Sequence, residues 1–403
     1  MNSCEAPIKH LNQSFHPRVN ILGRTLPAYR ILLLTGIFLG IVLSLFMIQV
    51  TGLALAVGLG GSAATAVALF AAATVTKAVT GEENFTNYHY QIVALVAAAG
   101  FLGLIHQPIL PYLDATALGL GLSVVLGRLG CLTAGCCHGR PARWGIRYGQ
   151  AHVADGFPAY LNGVRLLPVQ AMESLWALGI VIVGTVLVLG KQPAGTALAW
   201  HVTAYGVGRF FFEFLRGDAE RPDWRGFSEA QWTALITIAV IAGAGLVGIW
   251  PFQVWHAGAA MGLAVVMIVV AFWRRWEPHH LYQLLHPRHI RQIAEALDKL
   301  ADLSKAQLVV EGELPAGSQL HLVPMASTAL GLELSFGYVE QAGQRIDHYT
   351  LSSRNGNLTH RAACILSELI AQLRHASCTS EIIAGRQTGI FHMLIRSRQP
   401  LQS

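Results

Sequence analysis

Charge is scarce in this chain. Asp, Glu, Lys and Arg make up 12% of its 403 residues, about half the usual share of a soluble domain. Nearly half of that charge lies in the last third, and mean hydropathy is +0.47. The first two thirds are therefore not an ordinary soluble domain. Cysteine is also sparse. Cys4, Cys131, Cys136, Cys137, Cys364 and Cys378 are unevenly spaced, which argues against a disulfide framework. The polar first 25 residues and a first apolar run too long for an h-region argue against a cleavable signal peptide. No internal repeat or low-complexity segment is present. No basic stripe sits on a recognisable nucleic-acid module, so nucleic acid is not expected as a partner despite the net charge of +6.

What the sequence has in quantity is long apolar runs. A helix crossing ~30 Å of hydrocarbon needs about 20 apolar residues. Eight runs qualify, near 30–50, 52–77, 89–107, 113–132, 169–190, 195–215, 230–250 and 254–273. The expectation is an all-α polytopic membrane protein with seven or eight transmembrane helices and a small C-terminal α+β soluble domain. Residues 1–25 are read as a polar leader, 26–275 as the membrane domain and 276–403 as the soluble domain. In the last of these, 287–303 has helical apolar spacing. Segments 306–312, 319–325, 332–340 and 347–353 read as strands, and 357–376 as an amphipathic helix capped by Asn357. Strands at 381–385 and 389–397 close a largely antiparallel sheet.

Lys and Arg mark cytoplasmic flanks of membrane spans. Here they cluster before span one, after span two (Lys77), after span four (Arg140, Arg143, Arg147, Arg165), after span six (Arg216, Arg221, Arg225) and after span eight (Arg274, Arg275). The opposite loops hold Lys191 alone. Eight spans with both termini in the cytoplasm fit this bias, as does a cytoplasmic C-terminal domain.

Three stretches carry chemistry. "GRLGCLTAGCCHGR" (127–140) follows an apolar run. "TAYGVGRFFFEFLRGD" (203–218) puts Tyr205, Arg209 and Glu213 at i, i+4, i+8, with Arg216 three residues on. "LPVQAMESL" (167–175) sets Gln170 and Glu173 one turn apart. Charges inside a bilayer are costly unless paired or hydrated, so this many together imply a polar cavity. Two readings are open. Arg209 and Glu213 form a buried ion pair that only locks helices, or the arginines hold an anionic lipid headgroup, since a guanidinium binds phosphate bidentately. Cys131, Cys136, Cys137 and His138 also stay open. They read as small packing residues, as a reactive thiol, or as metal ligands, for which C-x4-C-C-H matches no common zinc spacing. Packing is the expectation, with no metal and no cofactor.

These stretches resemble the prolipoprotein diacylglyceryl transferase family of bacterial membrane enzymes. Its Gly-Arg-x-Gly-Asn-x-x-Asn-x-Glu-x-x-Gly-Arg signature is matched by Gly127, Arg128, Gly130, Gly139 and Arg140. Its Tyr-Gly-x-x-Arg-x-x-x-Glu-x-x-Arg helix is matched by Tyr205, Gly206, Arg209, Glu213 and Arg216. Pro168, Gln170 and Glu173 match a third run, in which Leu167 replaces a histidine. Tyr29 and Asp114 are weaker matches, and the family's essential histidine falls on His89.

The resemblance implies transfer of a diacylglyceryl group from phosphatidylglycerol, or a similar anionic phospholipid, to the thiol of a lipoprotein precursor or another acceptor. It implies catalysis by His89, Arg128 and Arg209. Tyr29, Asp114, Gly139, Arg140, Gln170, Glu173, Tyr205, Glu213 and Arg216 would bind substrate. The expected location is the bacterial inner (plasma) membrane. The other function classes are a non-catalytic lipid-binding subunit, whose soluble domain docks a partner, and a thiol-redox membrane protein.

The chain also departs from the family. Cys131, Ala134 and Cys136 stand at its Asn, Asn and Glu positions, and Tyr90 and Gln91 follow His89 in place of glycines. The family works at the outer face of the membrane. With outward chemistry, a cytoplasmic tail would need an odd number of crossings between motif and tail. The Gly- and Trp-rich junction at 245–262 is where a wrongly split span would lie.

Overall fold

The computed structural model describes residues 15–21, 23–81, 87–219, 223–276, 281–305, 324–341, 344–354, 358–374 and 380–396. The chain divides into two compact units. One comprises Met1–Gly139, Pro168–Arg216 and Arg221–Ala271, and the other Arg140–Leu167, Gly217–Glu220 and Phe272–Ser403.

The first unit is helical. After a short hairpin of β1 (Arg18–Ile21) and β2 (Arg24–Pro27) come α1 (Ala28–Val50), α2 (Leu55–Thr80), α3 (Asn87–Leu104) and α4 (Ile109–Ala134). They are followed by α5 (Val169–Leu189), α6 (Thr196–Phe212), α7 (Glu229–Leu246) and α8 (Val254–Trp276). All eight apolar runs are helices. Six are long and apolar enough to cross a membrane, and the apolar stretch Tyr88–Leu104 of α3 is shorter. The chain is a multi-pass membrane protein.

Local chemistry sets the helix ends. α1, α4 and α5 start directly after Pro27, Pro108 and Pro168, whose fixed φ suits helix entry. α2 and α4 stop at Gly81 and Gly135, both left-handed. α1 packs on α4 through small residues. A Cβ on Gly40 would overlap the Gly119 carbonyl, and Ser123 Oγ donates to the Gly36 carbonyl at 3.0 Å. Such seams let membrane helices approach closely.

A β-hairpin of β5 (Asp223–Trp224) and β6 (Phe227–Ser228) leads into α7. Its turn residues Arg225 and Gly226 both have positive φ, the I′ geometry of tight hairpins. α7 and α8 are two separate helices, each long and apolar enough to cross a membrane, and within 245–262 only residues 247–253 lie between them.

In the second unit, β3 (Pro141–Arg147) pairs with β4 (Arg165–Leu166). The C-terminal part adds α9 (Pro287–Lys305), β7 (Met325–Ser327), β8 (Leu332–Gln341), β9 (Gln344–Ser353), α10 (His360–Leu373), β10 (Ser380–Ala384) and β11 (Phe391–Arg396). The five strands form one sheet in the order β10-β11-β9-β8-β7, antiparallel throughout.

Period-2 apolar positions (Leu332, Leu334 and Phe336, Tyr349 and Leu351, Phe391, Met393 and Ile395) are buried, as are Ile293, Leu297 and Leu300 of α9 and Leu366 and Ile370 of α10. This is the expected α+β region. Two details differ from the sequence reading. α10 is capped by Thr359, whose side chain accepts from Ala362 N, rather than by Asn357, which lies outside the described residues. The strand expected at 306–312 and most of the one at 319–325 also lie outside them.

Candidate active site at one end of the membrane helices

The charged side chains of the three sequence stretches converge. Glu173, in the first turns of α5, is their hub. Its Oε2 is 2.5 Å from Arg128 Nε on α4. Its Oε1 is 3.0 Å from Arg209 Nη1 on α6 and 3.8 Å from Arg216 Nη1. Arg209 Nη2 reaches Glu213 Oε2 at 2.7 Å. All five residues are buried. The Arg209–Glu213 pair, one of the two readings left open by the sequence, exists within a larger network spanning three helices. Three guanidiniums face two carboxylates, a surplus of one positive charge by count (3 − 2). Arginine suits phosphate by fork geometry, and this many charges inside an apolar bundle are costly unless paired or hydrated.

Aromatic residues wall the cluster. Tyr205, one turn before Arg209, packs edge-on against Tyr88 at 5.5 Å. It also stacks parallel to His201 at 6.0 Å, whose Nε2 lies 2.9 Å from Gln91 Oε1.

The glycine-rich stretch after α4 folds back over its own helix end. Gly135 is left-handed, and so is Cys137, with φ of +58°. That is uncommon for a non-glycine residue. The sulfurs of Cys131, Cys136 and Cys137 lie within 4.8 Å of one another. Gln170 Nε2 donates to the Cys136 carbonyl at 2.8 Å, and Gly139 bridges the backbone of Arg216. Tyr29 crosses Gly130, where an added Cβ would sit 3.1 Å from its ring. His138 is buried, its Nδ1 2.9 Å from the Gly139 carbonyl.

Other expected site residues lie elsewhere. Asp114 is in the second turn of α4, 14 residues before Arg128, or about 21 Å along the helix. Its carboxylate accepts from Gly195 N and Leu198 N at 2.7 Å each, capping the N-terminus of α6. His89, at the start of α3, pairs with Glu229 at the start of α7 at 3.0 Å, and both side chains are exposed. Arg140 belongs to the second compact unit.

A family model of prolipoprotein diacylglyceryl transferase matches residues 19–250. The chain belongs to that family.

Phosphatidylglycerol–prolipoprotein diacylglyceryl transferase of Clostridium tetani is 29% identical over 146 residues, which are 36% of this chain and 54% of that protein. A second enzyme of that name from Clostridium perfringens is 37% identical over 115 residues, 27% of this chain and 41% of that protein. One from Streptomyces coelicolor is 31% identical over 151 residues, 36% of this chain and 46% of that protein. The chain spans about half the length, or less, of these curated relatives.

The sequence reading singled out Cys131, Cys136 and Cys137 and expected them to pack; that their three sulfurs come together was not foreseen. Their spacing fits no common metal pattern. The available signal was Gly135, a helix-ending glycine that returns the next two residues over the last turn of α4.

Proposed function

We propose that this protein transfers a diacylglyceryl group from an anionic glycerophospholipid such as phosphatidylglycerol to a thiol acceptor. The observation that carries this is the buried Arg128–Glu173–Arg209–Arg216 network with its surplus positive charge. Arg128 and Arg209 hold the lipid phosphate. As thiolate sulfur attacks the terminal glycerol carbon, the C–O bond breaks and its electron pair leaves with the phosphate as a glycerol phosphate. The guanidiniums stabilise the charge that grows there. Glu173, Glu213 and Gln170 fix the arginines and the cysteine turn, and Tyr205 and Tyr29 line the site. The thiol proton goes to a base, for which His89, paired with Glu229 outside the arginine network, is the sequence candidate.

The relatives' names point to a lipoprotein precursor as acceptor. The proposed location is the bacterial plasma membrane, with the C-terminal unit in the cytoplasm.

Purified protein in proteoliposomes containing headgroup-labelled phosphatidylglycerol and a cysteine peptide provides the test. Wild-type protein should release labelled glycerol phosphate together with lipidated peptide. Arg209→Ala should lower the rate on the order of 10²-fold or more. Wild-type turnover by a folded Arg209→Ala protein would refute the phosphate role.

A further inference from the structure

We propose that Cys131, Cys136 and Cys137 form a three-thiolate zinc centre whose fourth position is taken by the acceptor thiol. The metal half stands on the sulfur geometry. The acceptor half rests on the transferase reading above.

The three sulfurs already lie within 4.8 Å of one another. Three thiolates on one tetrahedral zinc, each about 2.3 Å from the ion, stand about 3.8 Å apart, so small rotations of the side chains close the site. Consecutive cysteines ordinarily point apart. Here the left-handed backbone of Cys137 turns its sulfur to the side of Cys136. Cys131 meets both from the last turn of α4 because left-handed Gly135 reverses the chain between them. The turn is held from outside the cluster by Gln170 on the Cys136 carbonyl and by the Gly139–Arg216 bridge. Packing alone does not call for a non-glycine residue in the left-handed region.

Ligand number gives the type of site. Among the described residues the cluster contains three donors. Structural zinc sites close with four protein ligands, whereas catalytic ones keep one position for water or substrate. Access exists, because Cys136 is exposed while Cys131 is buried. Charge fits as well. Zinc with three thiolates carries one negative charge, and the neighbouring arginine–glutamate network carries one positive charge by count. Arg128 lies one turn before Cys131.

In use, the acceptor thiol binds zinc through sulfur and gives its proton to a base. The zinc-bound thiolate then attacks the glycerol carbon, forming the C–S bond as the C–O bond to phosphate breaks. No oxidant or reductant is needed, and the metal keeps its charge.

The test uses the full-length protein purified in detergent under reducing conditions, with elemental analysis and zinc-edge X-ray absorption. The expected result is about one zinc per chain, with three sulfurs near 2.3 Å and one lighter ligand. Adding a cysteine peptide should convert the set to four sulfurs, and adding the serine analogue should leave it unchanged. Cys131→Ser and the Cys136→Ser, Cys137→Ser double variant should each lose stoichiometric zinc, while Cys364→Ser keeps it. Circular dichroism and gel filtration confirm folding, and cobalt(II) titration of the wild type gives a second readout through its thiolate charge-transfer band.

Folded wild-type protein that binds neither zinc nor cobalt overturns the centre, as does zinc retained by the double variant. A Cys131–Cys136 disulfide found under the same reducing conditions also overturns it. Zinc that stays S3-coordinated with the cysteine peptide overturns the acceptor role. Failure of the transferase reading is seen separately, as absence of lipidated peptide from protein that still binds zinc and thiol. Full transfer by zinc-free protein leaves the transferase reading standing and removes the metal from it.

Discussion

Glu173 Oε2 stands 2.5 Å from Arg128 Nε, joining α5 to α4 inside the bundle. The same carboxylate holds Arg209 and Arg216. It pairs with all three arginines, so its loss removes a carboxylate partner from each. Removing one partner of a buried ion pair typically costs about 3–5 kcal/mol. Glu173→Gln should therefore lower thermal stability in detergent sharply. Arg128→Ala combined with Glu173→Gln should destabilise less than the sum of the single changes, because the double variant removes a charge of each sign. Simple additivity in the melting data would show that the two side chains are not coupled.

Asp114 divides structural from catalytic expectations. Its carboxylate caps α6 through Gly195 N and Leu198 N, at the favourable end of the helix dipole. Asp114→Asn keeps one acceptor oxygen and loses the charge. Stability should fall on the order of 1–3 kcal/mol, while the transfer rate per folded molecule stays near wild type. A rate loss comparable to that of Arg209→Ala, without loss of stability, would bring Asp114 into the substrate site.

The C-terminal unit should weaken in mild acid. His289 is buried. Its Nδ1 lies 2.7 Å from the Leu284 carbonyl and its Nε2 2.8 Å from Thr328 Oγ1. The carbonyl can only accept, so Nδ1 carries the proton and Nε2 accepts from the Thr328 hydroxyl. Burial holds the imidazole below its ordinary value of 6.5, and the Leu284 bond opposes that shift. The unfolded chain therefore takes up a proton near pH 6.5, while the folded unit resists it to lower pH. Between those points the unfolded state carries more protons, so stability falls as pH falls through that window. Hydrogen exchange in α9 should accelerate more between pH 7 and 5.5 than intrinsic exchange accounts for. His289→Gln should flatten that difference.

Much of the fold was legible because bilayer and sheet impose periods the sequence must obey. The eight apolar runs became eight helices, with Pro27, Pro108 and Pro168 at their starts and Gly81 and Gly135 at their ends. Leu332, Leu334 and Phe336 announced a half-buried strand by alternation. Arg128, Glu173 and Arg209 were legible as a site because charge in an apolar segment needs partners. Two features were not legible. The partners of Asp114 are backbone amides about 80 residues further on, which no local pattern encodes. The convergence of Cys131, Cys136 and Cys137 depends on a left-handed Cys137, a conformation that residue type disfavours and spacing does not report.

Sidedness can be read at two positions, Ser403 and Asp155. The loop Arg140–Leu167 and the chain after α8 belong to one compact unit, and α9 contacts the turn Ala159–Leu161 within it. A unit shared by both segments requires them to lie on the same face of the membrane. Four helices, α5 to α8, separate them, an even number that returns the chain to the face it left. Arg274 and Arg275 end α8, and the other loops and helix ends of that face carry most of the Lys and Arg that precede them. The opposite loops carry Lys191 alone, so the shared face should be cytoplasmic. Thiols there, Cys364 and Cys378 among them, stay reduced. A fluorescent protein fused after Ser403 should fold and fluoresce, and alkaline phosphatase at the same point should be inactive. A cysteine in place of exposed Asp155 should resist an impermeant maleimide in intact cells and react after permeabilisation, with wild-type protein reporting the background from Cys136. Labelling of position 155 and phosphatase activity both seen from outside would put the shared unit at the outer face. Opposite results at the two positions would mean that one of α5 to α8 does not cross.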